Sequence, residues 1–132
     1  MILQVIYSIV LGFLIGLERE ASGKEIGIRT SALISLGSTL FCLISHAITQ
    51  GDPTRIVGQV ITGVGFIGAG LIFRGKDHVH GLTTAATIWC TAAIGALVGI
   101  GLNQLAFVGM ISIIIINRLF LHLKQNDKAD EN

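Results

Sequence analysis

The chain has 132 residues, of which 52% are hydrophobic and only 13% charged, and its formal net charge is +1. Soluble domains carry about 25% charged residues, so this sequence has too few polar groups to cover a water-facing core. The single proline excludes a collagen-like chain, the two cysteines exclude a disulfide framework, and the small net charge provides no basic field for nucleic acid. The remaining class is a small integral membrane protein.

Five apolar runs predict the membrane spans. They cover residues 1–17, 30–49, 56–73, 83–102 and 105–121, each 17 to 20 residues long. A helix needs about 20 residues, within a range of about 17–25, to cross the hydrocarbon core. The alternation typical of membrane strands is absent. We therefore predict an all-α membrane protein, a bundle of five transmembrane helices over residues 1–121, followed by a polar cytoplasmic tail over residues 122–132.

Small and hydroxyl residues form stripes along the first, second and fourth predicted helices. The stripes contain Gly12 and Gly16 in the first, Ser31, Ser35 and Ser38 in the second, and Thr83, Thr84, Thr87, Thr91, Gly95 and Gly99 in the fourth. Small residues let helices approach closely, and hydroxyl groups bond across the contact. We expect these stripes to pack against other helices. The alternative is that the serine and threonine stripes line a polar path.

The third predicted helix is rich in glycine. Gly63, Gly65, Gly68 and Gly70 fall within eight residues, and one face carries Gly58, Thr62, Gly65 and Ala69. We expect this helix to be central in the bundle, packed on two sides, with a kinked helix that exposes carbonyl groups to an ion as the alternative. The fifth helix is rich in isoleucine and is predicted to be outermost.

Lysine and arginine residues set the predicted orientation. With five spans, eight of the nine fall on one side of the membrane, and only Arg55 lies on the other, where Asp52 is its expected partner. Cytoplasmic loops are enriched in these residues. The N-terminus is therefore predicted to be outside and the C-terminus in the cytoplasm.

Two charged residues, Glu18 and Arg19, end the first apolar run. Charges that face the interior of a membrane bundle are costly and are usually paired or functional. We predict an ion network at the inner boundary that joins Glu18 to Arg29 or Arg74. The alternative is that these residues only anchor the helices at the interface.

No metal site, cofactor or enzymatic centre is predicted. Magnesium binds carboxylates and retained waters, and the carboxylates cluster only at the inner boundary, at Glu18, Glu20, Glu25 and Asp77. His78 and His80 are too few for a zinc site and are interpreted as loop residues. No nucleophile, base and orienting group form a recognisable motif.

Four short strings resemble the MgtC/SapB family of bacterial inner-membrane proteins. They are GLERE at residues 16–20, GIRT at 27–30, GVGFIGAG at 63–70 and GLTTAATIW at 81–89. The order and spacing of the last two strings are the specific part of the resemblance, which covers residues 12–101. It places Glu18, Arg19, Arg29 and Arg74 in family motifs and implies a five-helix domain in the bacterial inner membrane.

The resemblance also implies a function. The family is associated with growth under magnesium limitation and with survival inside host cells, and its members are interpreted as regulators of other membrane proteins. The alternative is a transporter or channel for Mg²⁺ or another cation, acting as an oligomer. Many members add a soluble cytoplasmic C-terminal domain, which we expect this sequence to lack because it ends at Asn132. A homodimer through the Gly12–Gly16 and Gly95–Gly99 motifs is expected unless packing within one chain uses those faces.

Overall fold

A computed structural model describes residues 1–24, 26–47, 53–76 and 78–129, with the backbone alone at residues 53, 54 and 120–129. This part of the chain forms five helices, α1 (Ile2–Ala21), α2 (Ile28–Ala47), α3 (Pro53–Leu71), α4 (Leu82–Gly99) and α5 (Asn103–Ala129). Each apolar run corresponds to one helix, so the all-α class is confirmed. Most of the predicted tail continues α5 as helix.

Within the described residues, three helices are long and apolar enough to cross a membrane. They are α1, α2 and α4, whereas the apolar parts of α3 and α5 are shorter, at Arg55–Leu71 and Asn103–Leu119. These helices support a membrane protein. Five crossings, and the orientation of the chain, remain predictions.

Helix α4 is the centre of the bundle, because it packs against α1, α2, α3 and α5. Its residues Ile94 and Val98 join a core with Leu11 and Ile15 of α1, and on another side Ile88 and Ala92 pack with Val64 of α3. The prediction that the third helix is central is therefore wrong. Small side chains occur around much of α4, and this lets neighbours approach from several directions.

Helix α5 lies on the outside of the bundle, as predicted. Ala106 and Met110 are buried against the core of α1 and α4, while Ile111, Ile115 and Ile116 are exposed. Its isoleucine-rich surface is therefore available to lipid.

Glycines bring the backbone of α2 against both α1 and α4. A Cβ atom added at Gly12 would lie 2.7 Å from the carbonyl oxygen of Ser31, and one at Gly16 would lie 2.6 Å from the Cα of Ile28. At Gly95 the added atom would collide with the Ser35 carbonyl oxygen. The stripes expected to pack helices are thus occupied within a single chain.

Gly99 makes the same kind of contact one turn further along α4. An added Cβ would lie 2.5 Å from the Cβ of Cys42. Packing within one chain therefore occupies both the Gly12–Gly16 and the Gly95–Gly99 motif. This outcome is the alternative, stated above, to a homodimer through these faces.

A short hairpin, which the sequence did not predict, joins α3 to α4. Strand β1 (Phe73–Arg74) pairs antiparallel with β2 (Val79–His80), and the rings of Phe73 and His80 stack with centroids 5.2 Å apart. Gly81 then starts α4 with a φ of +81°, and a Cβ there would collide with the carbonyl oxygen of Leu71. The hairpin therefore holds the end of α3 against the start of α4.

Replacing Gly95 with alanine is expected to destabilise the protein by about 1–3 kcal/mol, the usual range for overpacking a core. The reason is that the new methyl group meets the backbone of α2 at Ser35, which moves only if the helix moves. Thermal unfolding in detergent, followed by circular dichroism, measures the change.

Gly37→Ala is the matched control, because a Cβ at Gly37 meets nothing within 4 Å. Alanine is favoured over glycine in a helix by about 1 kcal/mol, so this variant should be as stable as the parent or more so. Equal melting temperatures for the two variants would contradict the packing role of Gly95.

Candidate functional site

Two consecutive charged side chains are buried at the end of α1. Glu18 is 4% exposed and Arg19 is 1% exposed. Arginine and glutamate are almost never fully buried unless they are paired. The contacts of these two residues therefore define the candidate site.

The carboxylate of Glu18 accepts two hydrogen bonds from different parts of the chain. The hydroxyl of Ser22 donates to Oε1 at 2.7 Å, and the side-chain amide of Asn117 donates to Oε2 at 3.1 Å. Asn117 belongs to α5 and is itself only 8% exposed. The carboxylate thus ties the end of α1 to α5.

The polar contacts continue from Asn117 to α4. The hydroxyl of Thr87 lies 3.5 Å from Oδ1 of Asn117 and donates to the carbonyl oxygen of Thr83 at 2.9 Å. One buried line of polar groups therefore connects α1, α5 and α4. We call Ser22, Glu18, Asn117 and Thr87, together with Arg19, the buried polar cluster.

Arg19 depends on Glu18 for its charge balance. Its Nη1 lies 3.9 Å from Oε2 of Glu18, and neither Nε nor Nη1 makes a hydrogen bond within the described structure. A buried charge without a counter-charge is strongly destabilising. The adjacent carboxylate is thus the group that makes a buried guanidinium tolerable here.

The predicted pairing of Glu18 with Arg29 or Arg74 is not formed. Both arginines are exposed, and the ion pair that Glu18 makes is with Arg19. The carboxylate of Glu18 points towards Asn117 of α5. Arg29, at the start of α2, and Arg74, in β1, both lie at the surface. Glu25 and Asp77, and the Asp52 expected to pair with Arg55, are outside the described residues.

Asn117 and Ser22 are members of the buried polar cluster that the sequence analysis did not identify. Asn117 is an amide that directly follows four isoleucines in a predicted span. Such a polar side chain in an apolar run is a usable signal, because it must find a partner inside a bundle. Ser22 gave no comparable signal, since it follows the span.

The hydroxyl stripes of α2 and α4 are largely buried in helix contacts. Ser31, Ser35 and Ser38 are buried, as are Thr87 and Thr91, whereas Thr84 is half-buried and Thr83 is exposed. Thr39, another residue that the sequence did not single out, donates to the carbonyl oxygen of Gly95 at 2.7 Å. Thr39 thus bonds α2 to α4 where their glycines already touch, whereas Thr91 donates to the carbonyl oxygen of Thr87 within α4.

Most glycines of α3 differ from the packed glycines of α1 and α4. A Cβ added at Gly58, Gly63, Gly65 or Gly70 would meet nothing within 4 Å, and only at Gly68, beside Ala85, is there contact. Gly58, Thr62, Gly65 and Ala69 are all exposed along one side of the helix. We call these four residues the small face of α3.

Comparison with known proteins gives consistent matches over most of the chain. The model of the MgtC family matches residues 5–126. Protein MgtC of Brucella abortus is 43% identical over 116 residues, which are 87% of this chain and 49% of that protein. Protein MgtC of Salmonella typhimurium is 41% identical over 124 residues, which are 94% and 54% of the two chains. The chain thus spans about half the length of these curated relatives, and no solved structure matches it.

Replacing Asn117 with leucine is expected to lower stability by about 1.5–3 kcal/mol, the typical contribution of a hydrogen bond to a charged group. The buried carboxylate of Glu18 loses the donor that reaches it from α5, while the side chain keeps the same number and branching of heavy atoms. Thermal unfolding in detergent measures the loss.

Ser112→Ala on the same helix is the control, because the exposed Ser112 hydroxyl donates to the carbonyl oxygen of Val108 within α5. The melting temperature of this variant should equal that of the parent protein. A leucine variant at Asn117 as stable as the parent would show that the buried polar cluster does not hold α5 in place.

Proposed function

This chain belongs to the MgtC family, and we propose that it is a small regulatory membrane protein that contacts other membrane proteins through its helices. The setting proposed for this action is adaptation to magnesium limitation in the bacterial inner membrane. That setting rests on the family resemblance. The contact mechanism rests on one observation, the uncovered small face of α3.

The small face of α3 has the properties of a helix contact that lacks its partner. Glycine costs a helix about 1 kcal/mol relative to alanine, and a close neighbour recovers that cost in a membrane by dense packing. The glycines of α1 and α4 have such a neighbour in α2, whereas Gly58 and Gly65 have none in the part of the chain that the structure describes. A transmembrane helix of another protein would supply it.

The polarity of the small face is also suited to lipid and to a partner helix. The hydroxyl of Thr62 donates to the carbonyl oxygen of Gly58 at 3.0 Å, so its donor is satisfied within α3. The small face can therefore contact lipid when no partner is bound. When a helix replaces the lipid, no hydrogen-bond donor of this face is left without an acceptor. This behaviour fits a reversible, regulatory contact.

Cation transport is the competing function. It requires a polar path, and the serine and threonine stripes that could form one are mostly packed against neighbouring helices. Among the described residues, no three side chains of the histidine, cysteine or carboxylate type come together. These observations favour the regulatory proposal.

Gly65→Leu tests the contact surface. A photo-crosslinking residue at position 69, introduced in cells grown at low Mg²⁺, should give a crosslinked membrane protein, and Gly65→Leu should remove most of that product because the leucine projects from the same face. Ser112→Leu, on the exposed side of α5, is the matched control and should leave the product unchanged. A product that is insensitive to Gly65→Leu would contradict the proposal.

Flux measurements separate the two functions. Purified protein in liposomes is expected to move Mg²⁺, Na⁺ and K⁺ no faster than empty liposomes do. A flux that Glu18→Gln abolishes would overturn the regulatory proposal in favour of transport through the buried polar cluster.

A further inference from the structure

A groove runs between α2 and α3 on the surface of the bundle. It extends from Thr30 to Phe41 on α2 and from Ile56 to Ile67 on α3, with a volume of about 600 Å³. At about 1.5 Å per residue, each helix contributes about 16 Å, which is roughly half of the about 30 Å hydrocarbon core. The groove is therefore about as long as one leaflet is deep.

Two glycines keep this groove open. Gly37 of α2 and Gly63 of α3 both line it, and a Cβ added at either position would meet nothing within 4 Å. Neither glycine serves packing within the chain, unlike Gly12 or Gly95. The space exists because two helix positions that could carry a side chain do not.

The lining of the groove suits a hydrocarbon chain. Most of its side chains are aliphatic or aromatic, among them Leu33, Phe41 and Ile67. An acyl chain in a bilayer is already out of water, so the gain on binding comes from close packing against these side chains.

The groove has a basic end. Arg29 directly precedes Thr30, and Arg74 follows three residues after Leu71, the last residue of α3, which packs against the core that contains Ile26. Both arginines are exposed, and neither forms an ion pair among the residues the structure describes. The nearby Glu20 is engaged by the backbone N–H of Ile28 at 3.3 Å.

The charge at this end matches a phosphate group. The start of α2 adds the positive end of a 20-residue helix dipole to the two arginines. This is also the end predicted to face the cytoplasm, where basic pockets between helices bind the headgroups of anionic lipids. An apolar groove of one leaflet depth thus begins at a cationic rim.

We propose that the groove binds one anionic glycerophospholipid of the cytoplasmic leaflet. An acyl chain lies between Gly37 and Gly63, and the headgroup phosphate lies against Arg29 and Arg74. The site is on the opposite side of α3 from the small face, since Gly63 and Gly65 differ by about 200° around the helix. The proposal therefore stands independently of the partner-helix contact.

Native mass spectrometry tests the proposal on protein purified in detergent with equal amounts of phosphatidylglycerol and phosphatidylcholine. The parent protein should retain one phosphatidylglycerol in preference to phosphatidylcholine. Gly37→Leu and Gly63→Leu each fill the groove from a different helix and should reduce retention of both lipids about tenfold or more, the equivalent of about 1.4 kcal/mol.

The arginines should act on headgroup choice alone. The double variant Arg29→Gln and Arg74→Gln should retain lipid but lose about tenfold or more of the preference for phosphatidylglycerol, because basic residues near the membrane surface attract anionic headgroups. Arg55→Gln, at the other end of α3, is the charge control and should keep the preference.

Gly65→Leu separates this proposal from the previous one, because it should disturb the partner crosslink and leave lipid retention unchanged. Lipid retention by Gly37→Leu and Gly63→Leu equal to that of the parent would overturn the lipid site. So would equal retention of the two lipids by the parent, or a dimer that these two variants abolish, which would identify a second copy of the chain as the occupant.

Discussion

The close approach of α2 to α1 and α4 is the contact on which the rest of the structure depends. Gly12 and Gly16 bring α1 onto one side of α2, and Gly95 and Gly99 bring α4 onto another. Because lipid is as apolar as a leucine side chain, burial from water does not hold such helices together, and dense packing has to. Once α2 is fixed between these neighbours, the bundle has a centre at α4, and α3 and α5 are left at the outside.

The same packing explains where the charged pair can be tolerated. Glu18 and Arg19 end the helix whose glycines contact α2, and the carboxylate reaches across to Asn117. A buried ion pair contributes little net stability after desolvation, but losing one partner is strongly destabilising. The bond from Asn117 to the carboxylate of this pair thus constrains how α1 and α5 meet.

Much of the fold could be predicted from the sequence, because helix formation in a membrane depends on the length and polarity of local segments. Each apolar run became a helix, and the four short strings identified the family correctly. The position of α3 could not be predicted in this way. Gly58 and Gly65 look like Gly95 and Gly99 in the sequence, yet one pair is open and the other is covered by α2. Which face a neighbour covers depends on the whole bundle, as does the partner of Glu18, 99 positions away in α5.

The hairpin between α3 and α4 has a mechanical consequence. Gly81 lies so close to the carbonyl oxygen of Leu71 that the C-terminal end of α3 is fastened to the start of α4. Nearer its middle, α3 touches α4 at Val64 and Gly68, and most of its other described residues are exposed. Because any side chain at position 81 would force these two helix ends apart, a substitution there would shift the C-terminal end of α3, and with it the wall that α3 gives to the groove.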